Sequence, residues 1–574
     1  MSLILTPLLV LLAQSPPLPE QQVGGEIETR FTFEGQTAQA RFGKNVDAGA
    51  DIDGDGVGDI LVSADLDDPS GQIDAGSVFV YSGADGSELL RIDGPAAGAA
   101  FGTSACFLSD VDGDLVPDIL VGAPGVDGVQ FQKIGAAVVH SGADGSQIHV
   151  VTGIQEEQFM GTAVAALGDI DGDLVDDFAV GSEWFDTVTS SNAGRVEVFS
   201  GADASSLLVI DGTQGFGLFG CAVDAMPDID GDTVPDLLIG QRGLTPLGTF
   251  RAGGASVRSG ATGAVIYAVT GSDFNDQMGS DVSQLQDYTG DGVPEFAVAG
   301  HNARANSFVA AGKIRVFDGA TGSFVFPIQG LVPQGWFGYS VADAGDVDGD
   351  GRGDILVGAI LEDENFADAS GTAYVFSGRD RGLLFRHNGA VEDGNMGFHV
   401  AAAGDLDGDG NLEIVVSAPG TDLVSAVTPL LGAGIVEVLD LDPYLRGSEN
   451  ELSRSAGGNI DMIVDFPASE AGFDYMMLFS ARPPGTTLFS GILLPLEFDS
   501  FTINAFNGLY PPIFSNAQGA LDANGDTVVN LSVPPGALTP GAVGALFRAC
   551  VVSADFGMGT PRLTTIATTL QVVP

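Results

Sequence analysis

A nine-residue acidic segment recurs seven times along the chain, and every step between consecutive copies is 59 residues. The copies begin at Asp51, Asp110, Asp169, Asp228, Asp287, Asp346 and Asp405. Chance composition does not place seven copies in one register, so a single supersecondary unit has been repeated. Self-similarity at a fixed period of this kind is typical of solenoids, propellers and arrays.

The sixth copy displays the chemistry of the segment most fully. Asp346-Val-Asp-Gly-Asp-Gly-Arg-Gly-Asp354 places carboxylates at relative positions 1, 3, 5 and 9. Calcium takes six to eight oxygen ligands, so acids at alternate positions of a turn can surround one ion. Without a cation these carboxylates would repel one another. The segment therefore predicts a calcium site, although a solvated acidic hairpin stays open as the alternative.

Positions 1, 3, 5 and 9 are the predicted side-chain ligands, and position 7 is predicted to offer its backbone carbonyl. Position 12 is never Glu, so these segments are not EF-hands. The seven predicted sets are Asp51, Asp53, Asp55, Val57 and Asp59; Asp110, Asp112, Asp114, Val116 and Asp118; Asp169, Asp171, Asp173, Val175 and Asp177; Asp228, Asp230, Asp232, Val234 and Asp236; Asp287, Thr289, Asp291, Val293 and Glu295; Asp346, Asp348, Asp350, Arg352 and Asp354; Asp405, Asp407, Asp409, Asn411 and Glu413.

The copies differ in ways that bear on metal binding. The fifth copy has Thr289 at position 3, so we expect it to bind most weakly among up to seven calcium ions. Position 2 is apolar or aromatic in every copy, and its side chain is predicted to point into the fold. The second, third and fourth copies have Leu115, Leu174 and Thr233 instead of glycine at position 6, which leaves the geometry of those turns open.

The charge of the chain is concentrated in the repeats. The formal net charge is −56, and 27 of the 77 acidic residues lie in the seven segments. Residues 445–574 carry a net charge of only −6. So acidic a surface argues against nucleic acid as a partner and against an anionic membrane surface.

Each unit contains four short apolar runs separated by turns, as its second copy illustrates. Phe101–Leu108 precedes the acidic segment, and Ile119–Pro124 follows it. After a variable loop come Gly135–Gly142, a turn, and a run near Ile148–Val151. Four short strands joined by turns predict one antiparallel blade.

The order Phe-Gly, acidic loop and Gly-Ala-Pro resembles the FG-GAP repeats of the integrin α-chain N-terminal β-propeller. Phe-Gly stands at 42, 101, 219 and 337 and becomes Met-Gly at 160, 278 and 396. Gly-Ala-Pro is complete only at Gly122–Pro124, with near copies such as Ser417–Pro419. Seven units then imply an all-β fold with a seven-bladed β-propeller over residues 27–440.

The beginning of the chain supplies the strand that the last unit lacks. Residues 29–33 match the late strand of later units, whereas the seventh unit ends near Leu439 without one. We therefore predict that the N-terminal strand closes the ring, which removes two exposed sheet edges. Residues 445–574 contain five strand-like runs separated by Pro/Gly turns and are predicted to form a small β-sandwich-like domain.

The first 13 residues are predicted to be a secretory signal peptide, followed by a lead-in over 14–26. The apolar run Leu3–Leu12 is too short to span a bilayer as a mature helix. We therefore expect a secreted or cell-surface protein, of bacterial origin, with no membrane insertion after signal removal. The three cysteines, Cys106, Cys221 and Cys550, are predicted to form no disulfide framework and to be small buried hydrophobic residues.

No residue is predicted to be catalytic or to bind an organic cofactor, because the five histidines show no ligand or triad spacing and no repeat-breaking His/Asp/Tyr cluster is recognised. Ligand contacts are assigned to the variable loops after each second strand, which the resemblance places on the recognition face. Their candidate aromatics are Phe131, Trp184, Phe185, Phe250 and Phe366, with Trp336 in a neighbouring loop. Arg352-Gly-Asp354 is an RGD tripeptide, but its aspartate belongs to a predicted calcium loop.

The function predicted from the sequence is non-enzymatic recognition or adhesion toward an extracellular protein or glycan, with calcium in a structural part. Two alternatives remain at this point. One is a calcium-dependent polysaccharide-processing enzyme, which would need a cleft with paired catalytic groups. The other is a structural component of a cell envelope, which would self-assemble in calcium.

Overall fold

The structure is a computed structural model in which a repeat region and a C-terminal region are described. The repeat region comprises residues 25–305, 307–363, 369–423 and 429–443. The C-terminal region comprises residues 445–447, 451–453, 458–466, 473–480, 487–489, 492–494, 514–515, 518–522, 526–533, 546–555, 560–564 and 568–573. The predicted signal peptide therefore lies outside the described residues, as does most of the lead-in.

The repeat region forms seven four-stranded antiparallel sheets, which are the blades of a β-propeller. The first strand of the chain is β1 (Gly25–Glu34). Blades 1 to 3 consist of β2 (Phe42–Ala48), β3 (Ile60–Ala64), β4 (Ser77–Tyr81) and β5 (Glu88–Asp93); β6 (Ser104–Leu108), β7 (Asp118–Ala123), β8 (Ala136–His140) and β9 (Gln147–Thr152); β10 (Ala163–Gly168), β11 (Asp177–Ser182), β12 (Arg195–Phe199) and β13 (Ser206–Asp211).

Blades 4 to 6 repeat the same order of strands. They consist of β14 (Phe219–Met226), β15 (Asp236–Gln241), β16 (Gly254–Arg258) and β17 (Val265–Thr270); β18 (Asp281–Gln284), β19 (Phe296–Gly300), β20 (Lys313–Phe317) and β21 (Phe324–Gln329); β22 (Phe337–Gly345), β23 (Asp354–Ala359), β24 (Thr372–Phe376) and β25 (Leu383–Asn388). Blade 7 contains β26 (Val400–Gly404), β27 (Leu412–Ala418) and β28 (Ile435–Pro443), and β1 completes it. The predicted seven-bladed propeller is confirmed.

The ring closes between the two ends of the repeat region, as predicted. β1 pairs antiparallel with β28 from Gly25↔Pro443 to Glu34↔Ile435, with one register shift between Thr29 and Phe31. The first strand of blade 1 also contacts the first strand of blade 7. Each blade therefore has a neighbour on both sides, which leaves no blade face exposed at a seam.

The regular spacing of Phe-Gly and Met-Gly along this chain reflects packing between neighbouring blades. Phe42, Phe101, Phe219 and Phe337 are almost fully buried, as are the methionines at the other three positions. The following glycine has a left-handed backbone, with φ +89° at Gly102, and a Cβ there would lie 2.9 Å from Ser63 Cβ. A side chain is therefore excluded at Gly102 by both backbone conformation and space.

The C-terminal region forms two larger sheets and a hairpin. One sheet has the order β29 (Leu445–Gly447), β31 (Gly458–Asp465), β37 (Asp526–Val533) and β35 (Phe514–Ser515). The other joins β30 (Glu451–Ser453), β40 (Thr568–Val573), β38 (Leu546–Asp555), β32 (Asp474–Ser480) and β36 (Gln518–Ala520), with β39 (Thr560–Thr564) beside β38. The hairpin pairs β33 (Thr487–Phe489) with β34 (Ile492–Leu494).

These two sheets contact each other as the sandwich prediction requires. The Thr527 hydroxyl of one sheet donates to the Tyr475 hydroxyl of the other at 3.1 Å. Met462 and Val529 of the first sheet and Met477 of the second are fully buried.

No α-helix occurs in the described residues, and none of their helical turns could cross a membrane. Two short 3-10 turns, Pro69–Gly71 and Pro246–Gly248, lie in variable loops. All three cysteines are free; Cys550 is buried, whereas Cys106 and Cys221 are half-buried. The predicted burial is therefore confirmed for Cys550 and wrong for Cys106 and Cys221, which keep part of their surface exposed.

Candidate metal loops and the central cavity

Each acidic loop connects the first and second strands of its blade, so all seven lie on one face of the propeller. The residue at position 9 is fully buried in every loop. In the first loop, Asp59 accepts hydrogen bonds from the Ile52 N–H at 2.7 Å and from the Gly83 N–H at 3.1 Å. Gly83 follows the third strand, so this carboxylate ties the acidic loop to the adjacent turn. Asp118, Asp177, Asp236 and Asp354 make the same two bonds.

The carboxylate at position 1 organises the loop itself. Asp51 Oδ1 accepts from the N–H groups of Gly54 and Asp55 at 2.7 and 3.1 Å, and its Oδ2 accepts from the Gly56 N–H at 3.0 Å. The position 7 N–H donates to the position 5 carboxylate, as Val57 does to Asp55 at 2.8 Å. These bonds curve the backbone so that the acidic side chains converge.

Carboxylate oxygens from positions 1, 3 and 9 come together in the first, second, third and sixth loops. One oxygen from each of Asp51, Asp53 and Asp59 lies within 4.8 Å of the other two, and the second, third and sixth loops repeat this arrangement. In the fourth loop the oxygens that converge come from Asp228, Asp230 and Asp232, at positions 1, 3 and 5. Three carboxylate oxygens at this separation form a donor set suited to a hard cation.

The sixth loop fits a cation best, because its acids are buried. Asp348 and Asp350 are 1% and 2% exposed, and Asp350 Oδ2 has no hydrogen-bond partner among the described residues. Burial raises the pKa of Asp350 to about 7. Burial, followed by the charges of Asp354 and Asp350, holds the pKa of Asp348 well above its usual range. Arg379 lies beside this cluster and donates to the Asp350 backbone carbonyl at 2.7 Å, and a bound calcium ion would add the further positive charge that four acids need.

Cationic side chains from other parts of the chain contact the fifth and seventh loops. Arg352 Nη1 donates to the Asp287 backbone carbonyl at 2.7 Å. Arg30, in the ring-closing strand β1, donates to Asp407 at 2.6 Å and lies 3.6 Å from Glu413 Oε1. Glu413 Oε1 still lacks a hydrogen bond among the described residues. Arg30 therefore couples ring closure to the charge of the seventh loop.

Position 6 adopts the same left-handed backbone with or without glycine. Leu115, Leu174 and Thr233 have φ of 73°, 72° and 76°, close to the 82° of Gly351. The open question about these three turns is thus answered in favour of one geometry. A left-handed backbone costs a non-glycine residue about 1–2 kcal/mol, so these loops hold strain that the other four avoid.

Replacing Leu174, which is 91% exposed, with glycine is expected to raise the free energy of unfolding by about 0.5–1 kcal/mol. Relief of the backbone strain exceeds the entropy that glycine adds to the unfolded chain. Urea unfolding of Leu174→Gly and the matched Leu174→Ala measures the effect. An equal gain in Leu174→Ala would contradict strain as the cause, because alanine keeps it.

The RGD tripeptide is not available to a partner. Asp354 is fully buried and accepts hydrogen bonds from Val347 and Gly378, while Arg352 is bound to the neighbouring loop. Position 2 is buried as predicted in five loops and half-buried at Ile229 and Tyr288.

The opposite face of the propeller carries the variable loops and most of the exposed apolar surface. Among the described residues 21 large apolar side chains are exposed, and 14 of them lie in these loops or in the loops that lead into the next blade. The fourteen are Ile73, Val129, Phe131, Ile154, Trp184, Val188, Phe216, Leu247, Phe250, Phe274, Phe308, Val309, Leu331 and Leu431.

Three of the predicted exposed aromatics are confirmed and one is wrong. Phe131, Trp184 and Phe250 are exposed. Phe185 is buried, because the Arg195 guanidinium covers its ring at 3.8 Å. Trp336 is half-buried and stacks on Tyr339, with ring centroids 6.2 Å apart. Phe366 lies outside the described residues.

The first strands of the blades surround a central cavity of about 380 Å³. Its wall includes Lys44, Asp281 and Tyr339 from first strands, together with Phe398 and His399, which come directly before β26. Glu183, Arg242 and His301, which follow second strands, also reach it. These ends of the strands point toward the variable loops, so the cavity belongs to the same face.

Sequence reasoning missed this cluster, since the structure brings together residues that break the repeat in different blades. Glu183, Arg242 and His301 occupy the place of Pro124 in successive 59-residue units. His399 and Asn45, on opposite sides of the ring closure, meet at 2.9 Å. A comparison of each repeat position for polar departures from the consensus would have found most of them.

Comparison with known proteins agrees with these repeats. The FG-GAP-like repeat family matches residues 287–357, and the FG-GAP repeat family matches residues 396–436. The chain is 30% identical over 199 residues to integrin alpha-5 of Xenopus laevis, covering 32% of this chain and 18% of that protein. It is 28% identical over 217 residues to integrin alpha-V of Gallus gallus, covering 35% of this chain and 20% of that protein.

The chain thus matches about a fifth of the length of these curated relatives. Among solved structures, it is similar to the crystal structure of BBS1N in complex with ARL6DN, soaked with mercury, at 10% identity and a TM-score of 0.43. That match covers 73% of this chain and 98% of the other. The repeat matches, the relatives and the seven blades lead to one conclusion: the chain contains FG-GAP repeats, and its repeat region is similar to that of integrin α chains.

Proposed function

We propose that this protein is an exported calcium-binding propeller that acts as a non-enzymatic recognition or adhesion module at the cell surface or outside the cell. The partner is an extracellular protein or a glycan. The concentration of exposed apolar side chains on the face opposite the acidic loops carries the proposal. Apolar side chains gathered on one face of a soluble protein are typical of an interaction site.

Calcium has a structural role in this proposal. The acidic loops hold up to seven ions, and the loop that contains Thr289 has the lowest affinity for calcium. Each ion neutralises a loop and ties the first two strands of a blade, because the position 9 carboxylate already connects that loop to the neighbouring turn. The acidic loops lie on the face opposite the proposed recognition face, and calcium bound there would stabilise the blades that carry the variable loops.

The two exposed rings of Phe250 and Phe274 form the sharpest feature of the proposed face. They are 51% and 74% exposed, and their centroids lie 5.5 Å apart. Because Phe250 belongs to a variable loop and Phe274 to the loop into the next blade, the pair presents one continuous apolar surface. Aromatic side chains of this kind frequently dominate binding energy at interfaces.

A binding screen on arrays of glycans and extracellular proteins tests the recognition role. In calcium the protein is expected to retain a ligand, and Phe250→Ser combined with Phe274→Ser is expected to weaken retention at least about tenfold, or about 1.4 kcal/mol. Phe324→Ser is the matched control, since Phe324 is exposed on the outer strand β21. No ligand in calcium, or equal loss in the control, would contradict the proposal.

A further inference from the structure

The charged groups at and near the central cavity have hydrogen-bond or ion-pair partners among the described residues, with one exception. Arg242 Nη2 donates to both carboxylate oxygens of Glu183, at 2.8 Å each. Arg41 pairs with Asp65. Asp281 accepts hydrogen bonds from the Val282 and Val341 N–H groups at 3.0 and 2.8 Å. The two arginines are therefore paired with carboxylates, and the Asp281 carboxylate is bound by backbone N–H groups.

Lys44 is the exception. It lines the cavity, is half-buried, and is one of only three lysines in the chain. Within the described part of the chain, its ammonium has no carboxylate within 4.0 Å and no hydrogen bond. Its one close contact is the Phe398 ring, with Nζ 4.9 Å from the centroid. A sequestered ammonium without a counter-ion is expected to attract an anion.

Two hydroxyl groups in the wall of the same cavity are also available to a ligand. Tyr339 and Ser340 both line the cavity, and neither hydroxyl has a hydrogen-bond partner among the residues the structure describes. Neither oxygen is sealed inside the protein. Both hydroxyls can donate and accept, so they can bind the alcohol groups of a polar ligand.

An aromatic surface completes this part of the wall. The rings of Tyr339 and Phe398 lie 4.9 Å apart between centroids, and Trp336 stacks behind Tyr339. An aromatic face of this size accepts the C–H face of a sugar ring, while the cation and hydroxyls bind its polar groups. A phosphate group would favour a free guanidinium, but Arg242 is occupied by Glu183.

We propose that the central cavity binds a carboxylate-bearing sugar, with Lys44 binding the carboxylate, Tyr339 and Ser340 the hydroxyl groups, and Phe398 the ring. The cavity volume of about 380 Å³ accommodates a unit of this size. This inference rests on the proposed recognition function and names a class of sugar for it, but the site is separate from the Phe250 and Phe274 surface, so either proposal can fail alone.

Tryptophan fluorescence provides a direct measurement. The chain has two tryptophans, and each contacts a residue of the cavity wall: Trp336 stacks on Tyr339, and the Trp184 indole donates to Glu183 at 3.1 Å. Titration of the full chain in calcium with glucuronate is expected to give a saturable change. Glucose, which lacks the carboxylate, and acetate, which lacks the ring, are expected to bind at least about tenfold more weakly.

Variants separate the parts of the proposed site. Lys44→Gln is expected to weaken glucuronate binding at least about tenfold and leave glucose unaffected, whereas the matched Lys133→Gln, outside the cavity, changes neither. Tyr339→Phe removes only one hydroxyl and is expected to weaken glucuronate binding a fewfold. This variant still tests the site if Lys44→Gln does not fold. Equal binding of glucose or acetate, an unaffected Lys44→Gln, or no saturable change with glucuronate would overturn the proposal.

Discussion

A chain that begins at Gly35, without β1, is expected to lose cooperative folding as a monomer. β1 supplies the fourth strand of blade 7 and pairs along its whole length with β28. Each lost hydrogen bond removes about 0.5–1.5 kcal/mol, and native proteins are stable by only about 5–15 kcal/mol in total. The loss of this strand is therefore comparable to the whole stability of the propeller.

The packing of β1 adds to its hydrogen bonds. Phe33 is buried at the junction of blades 7 and 1, and its ring stacks on Tyr81 with centroids 4.1 Å apart. Removing a buried phenylalanine side chain typically costs about 3–5 kcal/mol. Phe33→Ala is accordingly expected to lower the free energy of unfolding by that amount without removing the strand.

Thermal and urea unfolding of chains 35–574 and 25–574 measures the first effect, and the longer chain is the control. The shorter chain should aggregate or dimerise through the free edge of β28. A synthetic peptide of residues 25–34 should restore a cooperative transition, since it supplies the missing strand in trans. A monomeric chain 35–574 with an unchanged transition would contradict closure by β1.

Removing calcium is expected to lower the melting temperature by more than about 10 °C. At 10 mM calcium, a site with an affinity of about 10⁻⁴–10⁻³ M contributes about 1.4–2.7 kcal/mol, because calcium binds the folded loops alone. Several loops contribute together, so the sum is large for a single domain. A melt in calcium, in excess chelator, and in chelator with magnesium added in excess measures the shift, which magnesium should not restore.

Asp350→Asn separates calcium binding from loop structure. Asp350 Oδ1 accepts from the Arg352 N–H at 3.0 Å, a bond that asparagine can keep, while Oδ2 has no partner among the described residues. Without calcium the variant is expected to be more stable than the natural protein, because a buried charge is removed. In calcium the order should reverse. The same order under both conditions would contradict a metal in this loop.

The pH dependence provides a second control on the same prediction. Burial raises the pKa of Asp118 and Asp177 to about 6 and that of Glu413 to about 7. A raised folded-state pKa gives stability that is present below the unfolded pKa and lost as the pH rises through about 6–7. The metal-free loops therefore weaken toward neutral pH, whereas calcium needs ionised carboxylates. The calcium-dependent part of the melting temperature should grow from pH 5.5 to pH 7.5.

The sequence by itself determined the architecture of this protein. The 59-residue period specifies seven units, and the apolar runs within each unit correspond to the strands of one blade. The match between residues 29–33 and the late strand of other units predicted closure of the ring, which β1 confirms. These features can be predicted from the sequence because the apolar pattern of a strand depends on neighbouring residues only, and the repeat shows that pattern seven times.

Only the tertiary structure decided which groups meet. Asn45 and His399 are 354 residues apart in sequence and touch because the ring closes between blades 1 and 7. Arg30 reaches the seventh acidic loop for the same reason. The unpaired ammonium of Lys44 is also a tertiary property, since Asp65 and Glu183 are bound by Arg41 and Arg242. Sequence spacing carries no information on such meetings, because they depend on how seven blades converge around one axis.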